Sequence, residues 1–173
     1  MGPLADVRVV DLTTVVVGPT ATLYLADYGS DVIKVEAPGG DLLRALGGQS
    51  KSGELSGKFM HFNRNKRSLV LDLKQERGRE ALHRLLETAD VFIANVRPTA
   101  LERLGLGADA LRERHNRLIV CNLTGFGAGR DATATALLTT PSSKASRASP
   151  IATAVQPASP AMCRWCLPTT WLD

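Results

Sequence analysis

Five short apolar runs, separated by stretches of helical spacing, constrain the fold of this chain more than any other feature. VRVVDL (7–12), DVIKVE (31–36), KRSLVLDL (66–73), DVFIAN (90–95) and RLIVCNLTGFG (117–127) are nearly continuous in aliphatic residues. A strand with one wet face alternates apolar and polar positions, whereas a run that is apolar throughout needs cover on both faces. Helical segments supply that cover. TATLYLADYG lies between Pro19 and Gly29, a start and a stop signal, and KQERGREALHRLLETA (74–89) puts Leu82, Leu85 and Leu86 on one face. Pro98 to Leu104 and ADALRERHN add two shorter helices. The expected fold is α/β, a parallel sheet with flanking helices. Ligands of such sheets sit at the carboxyl ends of the strands, so the loops of interest are TTVVVGP, EAPGGD, ANVRP and TGFGAG. No GxGxxG follows the first strand, and GFGAG alone reads as turn chemistry rather than a phosphate cradle.

This reading holds for residues 1–130 only. All fifteen glycines lie before Asp131, and from there to Asp173 Ala, Thr, Ser and Pro make up 26 of 43 residues. That tail has no amphipathic period able to bury a face, and its lack of glycine is unusual for a flexible linker. It is expected to be irregular and of low order. The chain's net charge is +4, with basic residues interspersed among acids, which does not describe a nucleic-acid footprint. No run is long enough to span a membrane, the N-terminus lacks a signal-peptide pattern, and three cysteines suit a reducing compartment, so a cytoplasmic location is expected. Cys163-x-x-Cys166 has no second ligand pair for a structural zinc, and no metal is expected. His61, His83 and His115 stand in no ligand spacing.

At FNRNKRSLVLDLK (62–74) the spacing becomes specific. Together with VVDLTTVVVGPTATLYLADYGSDVIKVEAPGGD and ADVFIANVRPTALERLGLGADALRERHNRLIVCNLTGFG, it resembles the family III CoA-transferases, a group that also includes the α-methylacyl-CoA racemases. The resemblance covers roughly residues 4 to 129, in order. It implies that residues 1–130 are the N-terminal, Rossmann-like part of a domain that binds coenzyme A as substrate, and that full-length members form interlocked homodimers. It also implies a mechanism: an aspartate attacks the acyl-CoA to give a mixed anhydride, then an aspartyl-CoA thioester, and CoA passes to an acceptor acid. A carboxylate nucleophile divides one acyl transfer into easier steps without a metal or redox cofactor.

Carried over by position, the resemblance assigns coenzyme A contacts to Thr14, Val15, Val16 and Val17 after the first strand, packing on the adenosine part. Leu71 and Lys74 follow the third strand, Asn95 and Val96 end the fourth, and Arg103 lies beyond. Lys74 and Arg103 would meet phosphates. The second strand departs from the pattern, because Ala37 stands where a basic residue often follows Lys-x-Glu. Read without the resemblance, Lys74 could be solvated, Arg103 could pair with Glu102 or Glu113, and the valines could be ordinary core. Arg64, Lys66 and Arg67 look like a basic patch, and charges flanking a strand are usually solvated.

Family members continue after GFG with a D-R-P-x-x-D segment and then P-x-x-x-A-D-x-x-x-G, which carries the nucleophile. Neither stands in this sequence, and Asp131 and Asp173 lie in other contexts. One reading frame over, however, the junctions after Asp131 permit R-D-R-D-R-P-A-Y-D. Those of CRWCLPTTWLD permit P-M-V-L-A-D-H-L-V-G, and there Trp165 followed by Cys166 forces valine. The tail is therefore expected to be an out-of-frame translation, with a genuine disordered segment as the alternative. The fragment is expected to lack a catalytic residue, to expose apolar surface, and to be inactive alone. R-P-A-Y-D in the hidden frame and N-R-N-K-R-S at 63–68 favour a transferase over a racemase, and a non-catalytic CoA-binding fragment is the third possibility.

Overall fold

The computed structural model describes residues 2–46, 48, 55–124 and 152–154. Five parallel strands form the sheet: β1 (Arg8–Leu12), β2 (Asp31–Glu36), β3 (Lys66–Val70), β4 (Val91–Ala94) and β5 (Ile119–Leu123). Their order, β3-β2-β1-β4-β5, shows the chain running outward from β1 and then returning to its other side. The crevice between the carboxyl ends of β1 and β4 is thus a topological switch point, the usual ligand position in an open α/β sheet. The helices are α1 (Val17–Asp27), α2 (Gly57–Asn63), α3 (Glu76–Leu86), α4 (Pro98–Arg103) and α5 (Ala108–Arg114), with a short 3₁₀ turn at Leu42–Arg44. Neither α2 nor that turn was expected. Both are short, and their capping residues, Ser56 and Asp41, each accept a backbone N–H in the first turn.

The expected punctuation works as chemistry. Pro19 sits in the first turn of α1, where its missing N–H costs nothing. At the other end Gly29 takes φ 100°, with Gly29 N–H donating to Ala26 O and Ser30 N–H to Leu25 O. This paired closure needs a left-handed residue after the helix, which glycine supplies without a Cβ penalty.

The two faces of the sheet are covered differently. On one, Val10, Leu12, Val35, Phe92, Ala94 and Val120 meet Leu82 and Leu86 of α3 and Leu101, Leu106 and Leu111 from the α4–α5 region in one apolar core. On the other, α1 contributes Ala26 to a smaller cluster with Val9, Val32 and Ile93. The outer side of α1 is itself apolar and open, with Val17, Tyr24 and Tyr28 exposed. Among the described residues no helix is long and apolar enough to cross a membrane.

One sequence expectation is corrected. The third strand ends at Val70 instead of Leu73, and it is a sheet edge with three of its five residues exposed and two half-buried, not a run covered on both faces. Beyond the compositional break, Ala152–Ala154 form β6, antiparallel to β5 with Cys121 opposite Ala154. A free strand edge offers unpaired N–H and C=O groups to any extended segment, and such pairing needs no amphipathic period. The rest of the tail, with Asp131, Cys163, Cys166 and Asp173, lies outside the described residues, as does the TGFGAG loop beyond Thr124.

Candidate functional site

The loop after β1 is built around charged residues embedded in the strands. Asp11 of β1 is fully buried, and its carboxylate accepts from Thr13 N–H at 2.9 Å, Thr13 Oγ1 at 2.5 Å, Thr22 Oγ1 at 2.6 Å and Lys66 Nζ at 3.1 Å. Lys66 Nζ also donates to Pro19 O, Thr22 Oγ1 and Asn63 Oδ1. Burial pushes the Lys66 ammonium below its ordinary pKa, with Lys34 adding repulsion and Asp11 and Asp41 acting in the opposite sense. The expectation that Lys66 is a solvated flanking charge is therefore wrong. It was missed because its acid partner lies 55 residues earlier in the chain. Arg64 and Arg67 are exposed as expected, yet each is paired, with Asp27 and Asp31 respectively.

A second buried pair lies alongside. Lys34 Nζ sits 3.1 Å from Asp41 Oδ2, and both side chains are almost wholly excluded from solvent. Lys34 also donates to Thr13 O at 2.8 Å, and Val15 N–H points at both Asp41 oxygens at 3.3 Å. Glu36 orders this corner by accepting from Asp41 N–H, from Ser68 and from Arg44 in a two-bond fork. Burial alone would raise the Glu36 pKa, but the donors, Arg44 foremost, hold it below the ordinary carboxylate value.

Across the switch point, Asn95 at the end of β4 clamps the same loop. Its Oδ1 accepts from Thr14 N–H at 2.9 Å and its Nδ2 donates to Thr14 O at 2.8 Å. Five consecutive-loop backbone groups, from Thr13 N–H to Val15 N–H, are thus satisfied by side chains from Asp11, Lys34, Asn95 and Asp41. Gly18 completes the turn, since a Cβ there would lie 2.3 Å from Thr13 Cβ. The tip of this braced loop carries Val15, Val16 and Val17, all exposed. The valines are not core, which closes one reading the sequence left open.

The structure gathers some of the sequence-selected residues and separates others. Thr14 and Asn95 touch, but the Asn95 amide is spent on the backbone of Thr14. Leu71 and Val96 are half-buried against the apolar core. Lys74 is exposed at the entry to α3, where its N–H donates to Asp72. Arg103 is exposed in the last turn of α4, and among the described residues it forms no ion pair with Glu102 or Glu113. Beside Val16 an open groove of about 500 Å³ is lined by Leu43, Gly57, Lys58, His61 and Phe62. Its position follows from α2 and the 3₁₀ turn, the two elements without a sequence signal.

Two further residues meet without warning. His83 Nδ1 and His115 Nε2 lie 3.1 Å apart, their rings stacked at 20°, and both side chains are buried. Burial lowers both pKa values, with the Arg114 charge adding to it and Glu87 opposing. Among the described residues no group of three or more His, Cys, Asp or Glu is placed to hold a metal ion.

Comparison with known proteins identifies a family. The model of CoA-transferase family III matches residues 4–149, which runs past the compositional break at Arg130. Succinyl-CoA:mesaconate CoA-transferase of Haloarcula hispanica is 45% identical over 130 residues, covering 73% of this chain and 33% of that protein. Succinate–glutarate CoA-transferase of Agrobacterium fabrum is 47% identical over 131 residues, covering 72% and 33%. A CAIB/BAIF family protein from Brucella suis superposes with a TM-score of 0.71 at 38% identity, over 75% of this chain and 35% of that one. The chain spans about a third of the length of the curated relatives it matches. With the family model covering most of its length and solved relatives sharing its sheet, this chain belongs to CoA-transferase family III.

Proposed function

We propose that residues 1–130 are a coenzyme A-holding part of a CoA-transferase, and that these 173 residues do not complete the transfer by themselves. The observation that carries this reading is the locked pair of loops at the switch point, where Asn95 fastens Thr14 and three valines are presented to solvent on a braced backbone. A rigid apolar tip beside an open groove suits the flat faces of an adenosine and a pantetheine arm. Lys74 and Arg103 supply cations for the phosphates of the same ligand. Leu71 and Val96, packed on the core, would offer apolar contact to the same ligand. Asn95 acts on the ligand through Thr14 rather than by its own amide.

Transfer of CoA between an acyl-CoA and a carboxylic acid then belongs to the whole protein, through an aspartyl anhydride and an aspartyl-CoA thioester. The nucleophile's P-x-x-x-A-D-x-x-x-G context is absent from the sequence, and neither Asp131 nor Asp173 replaces it. The relatives compared above are named as CoA-transferases, which favours that reaction over racemisation. Out-of-frame translation of the tail accounts for the missing context and for the change of composition after Arg130.

Isothermal titration of the folded chain with CoA tests the binding half of the proposal. Saturable heat that is lost in a Lys74→Ala, Arg103→Ala variant supports it, and a folded protein giving no heat overturns it. Sequencing the gene across codons 127–135 tests the tail, and an alternate frame interrupted by stops would remove the frameshift.

A further inference from the structure

Val15 is a β-branched residue with φ 68°, in the left-handed region that such side chains rarely occupy. Something must hold it there. Its neighbours point to the agent: Val15 N–H is shared between the two oxygens of Asp41, and Asp41 is fixed by Lys34, whose Nζ also grips Thr13 O. Asp41 in turn caps the Leu42–Arg44 turn through Leu43 N–H, so its carboxylate cannot swing away. The clamp is buried, while the residues it shapes are at the surface. That is an unusual place for two opposite charges if stability were their only use, because a buried pair gains little over a well-packed apolar one.

We infer that Lys34 and Asp41 are positioning residues, whose ion pair holds Val15 in its left-handed conformation and so sets how Val15, Val16 and Val17 meet coenzyme A. The inference rests on the coenzyme A reading above. Without the clamp, Val15 relaxes to negative φ, the tip turns away, and only the fraction of molecules that still visits the strained form binds.

The test is a double-mutant cycle between position 41 and position 15. Asp41→Asn weakens CoA binding about tenfold, the loss expected when a strained residue is released. In a Val15→Gly background the same change costs less than about twofold, because glycine takes positive φ unaided. A role in overall stability alone would give equal losses in both backgrounds, and that result overturns the inference. Lys34→Met with Asp41→Asn serves as a second, charge-neutral variant should the single change fail to fold. Amide exchange at Val15 gives an independent readout: protection falls in Asp41→Asn while the exchange of α3 is unchanged. If the parent chain folds but takes up no CoA, the functional reading fails, and Val15 exchange still decides the clamp. Unchanged protection at Val15 would then sink it.

Discussion

One sheet carries two very different faces. Towards α3, α4 and α5 it packs into one apolar cluster, and Leu82, Phe92, Leu106 and Leu111 are sealed from water. Towards α1, charges and hydroxyls continue the strands: Asp11 follows Val9, Lys34 and Glu36 follow Val32, and all three are buried. The apolar face is non-directional and tolerates some rearrangement of shape. The ionic face fixes geometry, since each donor must find its acceptor, and its partners converge under the loop that presents Val15 to Val17. Specification of the site is thus concentrated on one side of the sheet, and cohesion on the other.

The sharpest way to break that division is Asp11→Ala. It leaves the Lys66 ammonium buried with three neutral partners and no carboxylate in contact, and frees Thr13 N–H and Oγ1. A loss of about 3–5 kcal/mol is expected, the range for removing one member of a buried pair. Chemical denaturation measures it. Leu82→Ala tests the other face. Leu82 is fully buried, so the change should cost about 2–5 kcal/mol through lost transfer and cavity terms. The decisive difference is local: Leu82→Ala should leave amide exchange at Val15 unchanged, whereas Asp11→Ala should accelerate it at Thr13. If both variants disturbed the loop equally, the two faces would not be separable.

The sequence showed one face better than the other, for a physical reason. Apolar strands and helix stripes repeat locally, so β1, β2, β4 and α3 can be found from period alone, and Gly29 and Pro19 mark α1. Ion pairs do not repeat. Asp11 and Lys66, or Lys34 and the loop at Thr13, become neighbours only after the sheet has formed. The available signal was a charge standing inside an apolar run, at Asp11 in VRVVDL and at Lys34 in DVIKVE, which already implies a buried partner without naming it. The groove by Phe62 depends on two short capped elements and had no periodic signal. The contact of His83 with His115 had none either.

That histidine contact gives the apolar side its own pH dependence. His83 and His115 face one another, with Arg114 unfavourable and Glu87 favourable to protonation, and burial lowers both pKa values. A lowered folded-state pKa means that the unfolded chain binds the proton more readily, so stability is full above the ordinary histidine value of about 6.5 and falls as pH drops below it. Thermal melts between pH 7.5 and about 5 check this, with His83→Gln, which cannot titrate, expected to flatten the slope. An unchanged slope in that variant would mean that His83 binds its proton equally well in the folded and unfolded states.

The smallest effect sharpens the comparison from outside. Arg67 lies on the exposed edge of β3, donating two bonds to Asp31, which also accepts from Arg8 Nε. Unlike Lys66, its neighbour on the same strand, it is mostly in water, where solvent and salt screen the pair. Arg67→Ala should therefore cost no more than about 1 kcal/mol. Burial acts to raise the Asp31 pKa, but Arg67 and Arg8 outweigh it and hold the carboxyl below its ordinary value. The stability this confers is present above the unfolded carboxylate pKa and is lost as pH falls through the folded one, so the variant should differ from the parent near neutral pH and converge with it in acid. The ion pairs made by two residues one position apart on one strand, Lys66 with Asp11 and Arg67 with Asp31, would then differ severalfold in cost. The only cause is which side of the sheet each charge faces, and a cost for Arg67→Ala as large as that for Asp11→Ala would erase the distinction.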